Sequence, residues 1–78
     1  MRLIIMRHGE SQNNVLRKIS PQLWETNRSN EPELSDRGID DCRATGARLS
    51  DLGFTFDLML TSAHKRAVLS LKNVRDTF

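Results

Sequence analysis

One cysteine, Cys42, cannot close a disulfide within this chain, and its apolar helical setting suits a small core residue better than a reactive thiol. The two histidines, His8 and His64, sit on separate turns with no third partner at ligand spacing, so no metal and no cofactor are expected. Aromatic residues make up only 5% of the chain and never interleave with a dense lysine or arginine run, which argues against nucleic acid as a partner. The apolar run Leu3-Ile4-Ile5-Met6 is far shorter than a membrane span or a signal-peptide core. A cytoplasmic location with no membrane partner is therefore the expectation. No repeat, low-complexity tract or transit-like segment occurs.

What is present is compact and basic. Residues 1–78 allow one small domain at most, with 37% hydrophobic content suited to a globular piece. Net charge is +2, and nine of the twelve basic residues are arginine, whose planar donor fork suits bidentate contacts with phosphate.

Arg7-His8-Gly9-Glu10-Ser11 follows the first apolar run directly, where a buried strand over about Arg2 to Met6 would end and the backbone must turn. A neutral imidazole carries a lone pair able to attack phosphorus, and a neighbouring guanidinium can grip the phosphate oxygens. Taken alone, His8 is better read as a residue that caps a strand end or bonds a carbonyl. The segment Phe56-Asp57-Leu58-Met59-Leu60-Thr61-Ser62 reads as a second strand and hands over to Ala63-His64-Lys65-Arg66-Ala67. If the two strands are parallel neighbours, Arg7, His8 and Arg66 converge beyond their carboxyl ends on one anion-sized spot. The bland alternative for Arg7 and Arg66 is a surface ion pair.

Between these motifs, Gln12-Asn13-Asn14 opens a short helix toward Lys18, Ser20-Pro21 breaks it, and a loop runs through Asn27 to Pro32. Ser35 is a plausible N-cap with Asp36 in the first turn. Ile39, Cys42, Gly46 and Leu49 form one buried helical stripe, with Gly46 allowing close packing against the sheet. Asp40, Asp41, Arg43 and Arg48 make a solvated face, and Gly53 ends the helix. A last helix from about Ala63 buries Ala67, Leu71, Val74 and Phe78. Ser62 reads as its cap, and His64 as a surface helix residue. Strand, helix, strand and helix make an α/β unit with a right-handed crossover.

RHGES with Asn14, then Leu34-Ser35-Asp36-Arg37-Gly38, then TSAHKRA over residues 61–67, resembles the phosphoglycerate-mutase-like histidine phosphatase superfamily. The three motifs stand in that family's order, and the match is poor only between about Leu16 and Pro32. The resemblance implies the N-terminal strand-helix-strand-helix portion of a three-layer parallel-sheet fold, incomplete within these residues. It implies that His8 is the nucleophile, forming a phosphohistidine, with Arg7 and Arg66 as charge clamps for the transferred group. Ser11 and Asn14 match positions that hold the phosphate, or else serve as local turn and capping residues. Glu10 belongs to the motif and is read as structural. A general acid and a second histidine would lie beyond Phe78.

The reaction class implied is phosphoryl transfer on a phosphomonoester, either a small phosphorylated metabolite or a phosphoprotein. The glycolytic mutases carry a Gly-Trp segment before LSxxG, whereas Asn27-Arg28-Ser29-Asn30-Glu31-Pro32-Glu33 lacks it, and Trp24 lies upstream as a packing anchor. A phosphatase is thus preferred to a mutase (an isomerase). A non-catalytic phosphate-binding module is the reading from another class, and an unfinished sheet edge would favour a homo-oligomer.

Overall fold

The computed structural model describes residues 2–78. Four helices make up the regular structure: α1 (Gln12–Ile19), α2 (Pro21–Asn27), α3 (Asp36–Asp51) and α4 (Lys65–Thr77). Each start has a chemical cause. The Ser11 hydroxyl accepts from the Asn14 backbone N–H while the Asn14 side chain accepts from the Ser11 N–H, a reciprocal capping box for α1. Ser20 caps α2 by accepting from Leu23 N–H, and Pro21 occupies the first turn, where its missing N–H is harmless. The Ser20-Pro21 pair therefore ends one helix and begins another, where the sequence suggested only a break. Ser35 caps α3 as expected, accepting from Gly38 N–H at 3.1 Å.

The far end of α3 is equally defined. Gly53 sits at φ 78°, in the left-handed region glycine favours. Its N–H bonds Ser50 O at 3.0 Å and that of Phe54 bonds Leu49 O at 3.2 Å, a Schellman closure. At α4 the N-cap is His64, not Ser62, and its ring makes no capping bond.

The core lies between α3 and α4. Leu34, Cys42 and Val74 are buried, with Ile39, Leu49 and Leu69 packed against them. The stripe read from the sequence of α3 faces inward as expected, and Asp40, Asp41, Arg43 and Arg48 are exposed. Gly46 does not meet a sheet. A methyl group there would collide with the Val74 carbonyl and the Thr77 hydroxyl, so glycine is what lets α3 and α4 cross closely.

The expected α/β architecture is not formed among the described residues, which contain no strand or sheet. The two segments read as strands, residues 2–6 and 57–61, run without a ladder, and their large side chains face out: Leu3 is 74% exposed, Ile5 86%, Leu58 72% and Leu60 82%. The reason is physical. A strand needs backbone partners on a neighbour, and β-branched composition supplies the side chains without supplying that neighbour. The sole bridge described is antiparallel, between Ser11 and Leu34, where Gln12 N–H bonds Glu33 O and Ser35 N–H bonds Glu10 O, each at 2.8 Å. It ties the RHGES turn to the start of α3.

Candidate active site

The turn after Met6 is held from two sides. Gly9 N–H donates to the Ser70 hydroxyl of α4 at 2.9 Å, and that hydroxyl donates to Arg66 O at 2.7 Å. On the other side, the Ser35 hydroxyl contacts the Glu10 carbonyl at 3.2 Å and its carboxylate at 2.8 Å. Helix α4 and the cap of α3 thus fix the backbone just after His8, at Gly9 and Glu10.

The imidazole has a defined tautomer. Its Nδ1 lies 2.7 Å from the Gly9 carbonyl oxygen, which can only accept. In the neutral ring Nδ1 therefore carries the proton, and the lone pair resides on Nε2.

A cavity of about 470 Å³ is lined by Arg7, His8, Glu10, Asn14, Arg17 and Lys18, within the size range of small-molecule sites. Of the residues singled out in the sequence, Arg7, His8 and Asn14 share this cavity. Ser11 does not line it; it is 1% exposed and committed to capping α1. Asn14 serves both uses, because its Oδ1 is engaged by Ser11 N–H at 3.0 Å while the residue still borders the cavity. Arg66 is absent from the lining. It stands in the first turn of α4, one turn before Ser70, so it is linked to the His8 turn through its carbonyl.

Glu10 is the carboxylate of the cavity, and it is held ionised. The Lys18 ammonium at 2.6 Å and then the Ser35 hydroxyl lower its pKa below the ordinary value. It cannot donate a proton near neutral pH, in agreement with a structural role. Glu31 and Glu33 are likewise held below the ordinary range, Glu31 by the Lys65 backbone N–H and then His64, Glu33 by the Lys65 side chain. Glu31 Oε2 accepts from Lys65 N–H at 2.8 Å and so occupies the N-terminus of α4. His64, read as a surface residue, lies 3.5 Å from the same carboxylate. No group of three His, Cys, Asp or Glu suited to a metal occurs among the described residues.

Arg17 and Lys18 border the cavity without having been singled out in the sequence. The signal was available, since they follow RHGES by two turns of helix on a face shared with Asn14. Among the described residues, no helix is long and apolar enough to cross a membrane.

No solved structure matches this chain. A family model does, over residues 3–78, so the turn at His8 and the helices that hold it lie wholly within the matched span, and the chain belongs to the histidine phosphatase superfamily, branch 1.

Proposed function

We propose that this chain is a phosphatase that hydrolyses a phosphomonoester through a phosphohistidine at His8. Membership of the superfamily supports phosphoryl transfer through a histidine in the general sense. The observation that carries the residue assignment is the His8 Nδ1 contact with the Gly9 carbonyl, which leaves the lone pair on Nε2, with Arg7 lining the same cavity. Nε2 attacks phosphorus, the bond from phosphorus to the ester oxygen breaks, and that oxygen leaves with a proton from water. A second water then attacks the phosphohistidine, the P–N bond breaks, and inorganic phosphate leaves with the imidazole neutral again. Arg7 offsets charge on the oxygens in flight and Asn14 offers a polar contact at the rim, while Arg66, outside the lining, is assigned as the second clamp from the TSAHKRA motif alone.

Two features favour hydrolysis over mutase chemistry. Arg7, Arg17 and Lys18 are exposed, so water reaches the cavity. The 27–33 segment also lacks the Gly-Trp of the mutases. Because the Glu10 carboxylate is held ionised, the lining favours esters whose leaving oxygen needs little protonation, such as aryl phosphates.

The test is hydrolysis of an aryl phosphate, with acid-labile phosphoprotein trapped in parallel. His8→Ala is expected to abolish both turnover and label, and Arg7→Ala to lower kcat by about 10²–10³-fold, the scale for removing one preorganised charge contact. Label passing to an added phosphate acceptor instead of water would indicate a mutase. Turnover that survives His8→Ala would sink the assignment.

A further inference from the structure

We propose that Arg17, set over the ring of Trp24, is a second anion grip of the cavity, so that the substrate is a phosphomonoester bearing another anionic group. The inference rests on the reading of His8 and Arg7 as the phosphoryl site. Three cations line the cavity, and they are not equivalent. Lys18 is spent on Glu10 at 2.6 Å, so that pair cancels. Arg7 and Arg17 form no ion pair among the described residues and remain two uncommitted guanidinium groups facing one space.

Arg17 is also preoriented. Its Cζ lies 5.1 Å from the Trp24 ring centroid, and the Cζ of Arg28 lies 4.4 Å from the same ring. The contact is with the ring face, which accepts no hydrogen bond in the ordinary sense, so the guanidinium N–H donors stay available for a planar acceptor such as a carboxylate or phosphate. Trp24 is placed for this by α2, whose cap at Ser20 turns the chain back beside α1. Arg17 leaves α1 about 9 Å along the axis from Ser11, at 1.5 Å per residue, so its grip is separated from the RHGES turn. A lone phosphoryl group at His8 would leave it empty, whereas a second anionic group would fill it.

The experiment titrates the 78-residue chain by calorimetry with methylphosphonate, phosphonoacetate and 3-phosphonopropionate. These share the phosphoryl-like head and cannot be turned over, and the last two add a carboxylate at different reach. At least one carboxylated probe is expected to bind about tenfold more tightly than methylphosphonate, about 1.4 kcal/mol. Arg17→Ala should remove that advantage and leave methylphosphonate within about twofold, a change too small to be the loss of a charged contact. Trp24→Ala should reduce the advantage partway, because the charge stays and its orientation is lost. Arg7→Ala should weaken all three probes. Arg17→Ala that leaves the advantage intact, or that weakens all probes alike, overturns the second grip while the phosphoryl site stands. Probes that bind equally before any substitution overturn it too. If no probe binds the helical chain, the site reading fails together with this inference. Arg17 is exposed and caps nothing, so its variant retains the helices, which circular dichroism verifies.

Discussion

Ser70 shows how one buried hydroxyl can serve a site it does not touch. It is 2% exposed, accepts from Gly9 N–H and donates to Arg66 O, so it fastens α4 to the residue after His8. Ser70→Ala would leave the Gly9 N–H without its partner at a cost of about 1–3 kcal/mol. We expect a lower melting midpoint and a larger fall in kcat than in affinity for inorganic phosphate, because the His8 turn loses its tether. Equal midpoints for the two proteins would show that water replaces the hydroxyl. At this scale the sequence was informative about chemistry and silent about assignment. His8, Arg7 and Asn14 were legible from RHGES and its spacing. Ser11 was legible as a choice between cap and ligand, and the structure shows it capping α1. Arg17 lay outside the motif, and its meaning depends on Trp24, seven residues ahead in sequence, whose approach requires an α2 that the sequence reading did not anticipate.

Helices α1, α3 and α4 were readable because their causes are local, although α2, with a serine cap and proline start of the same kind, was taken for a loop. A serine followed three residues later by a free N–H, a glycine at a left-handed stop and a stripe at 3.6-residue spacing are contained within the element itself. Strands were not, because their partners are remote, and the runs at 2–6 and 57–61 show composition without pairing. The α3–α4 crossing is intermediate: the sequence pointed to a close neighbour at Gly46 but took it for the sheet, where α4 stands instead. Gly46→Ala tests that crossing. Alanine favours a helix by about 1 kcal/mol over glycine. The added methyl, however, meets the Val74 backbone carbonyl, which cannot rotate away, so the helices must part. Overpacking of about 1–3 kcal/mol should win, giving a destabilised chain by denaturant titration. A stabilised variant would mean that α4 shifts freely along α3.

Across the whole molecule, little apolar burial holds a lengthened shape. The Cα radius of gyration is 14.0 Å, against about 11.5 Å for a compact chain of this size. The buried apolar cluster comprises Leu34, Cys42 and Val74, so polar ties between segments matter more than in a larger core. Three of them are carboxylates that join distant parts of the chain: Glu10 to Lys18, Glu31 to the start of α4, and Glu33 to the Lys65 ammonium at 2.8 Å. All three have pKa values lowered from 4.5 by these contacts. The folded chain therefore takes up protons less readily than the unfolded chain as acid is added. The stabilisation is present above about pH 4.5 and is lost as pH falls through the lowered folded values. The groups are exposed, and salt screens them, so the effect should shrink at high ionic strength. Thermal melts from pH 6 to pH 3 are expected to show a falling midpoint below about pH 4.5. The double variant Glu31→Gln, Glu33→Gln should start lower at pH 6 and fall less. A midpoint in the parent chain that stays level to pH 3 would show that these ties contribute nothing to the fold, and that the loop before α3 is held by the Ser11–Leu34 bridge and the Asn13–Ser29 hydrogen bonds.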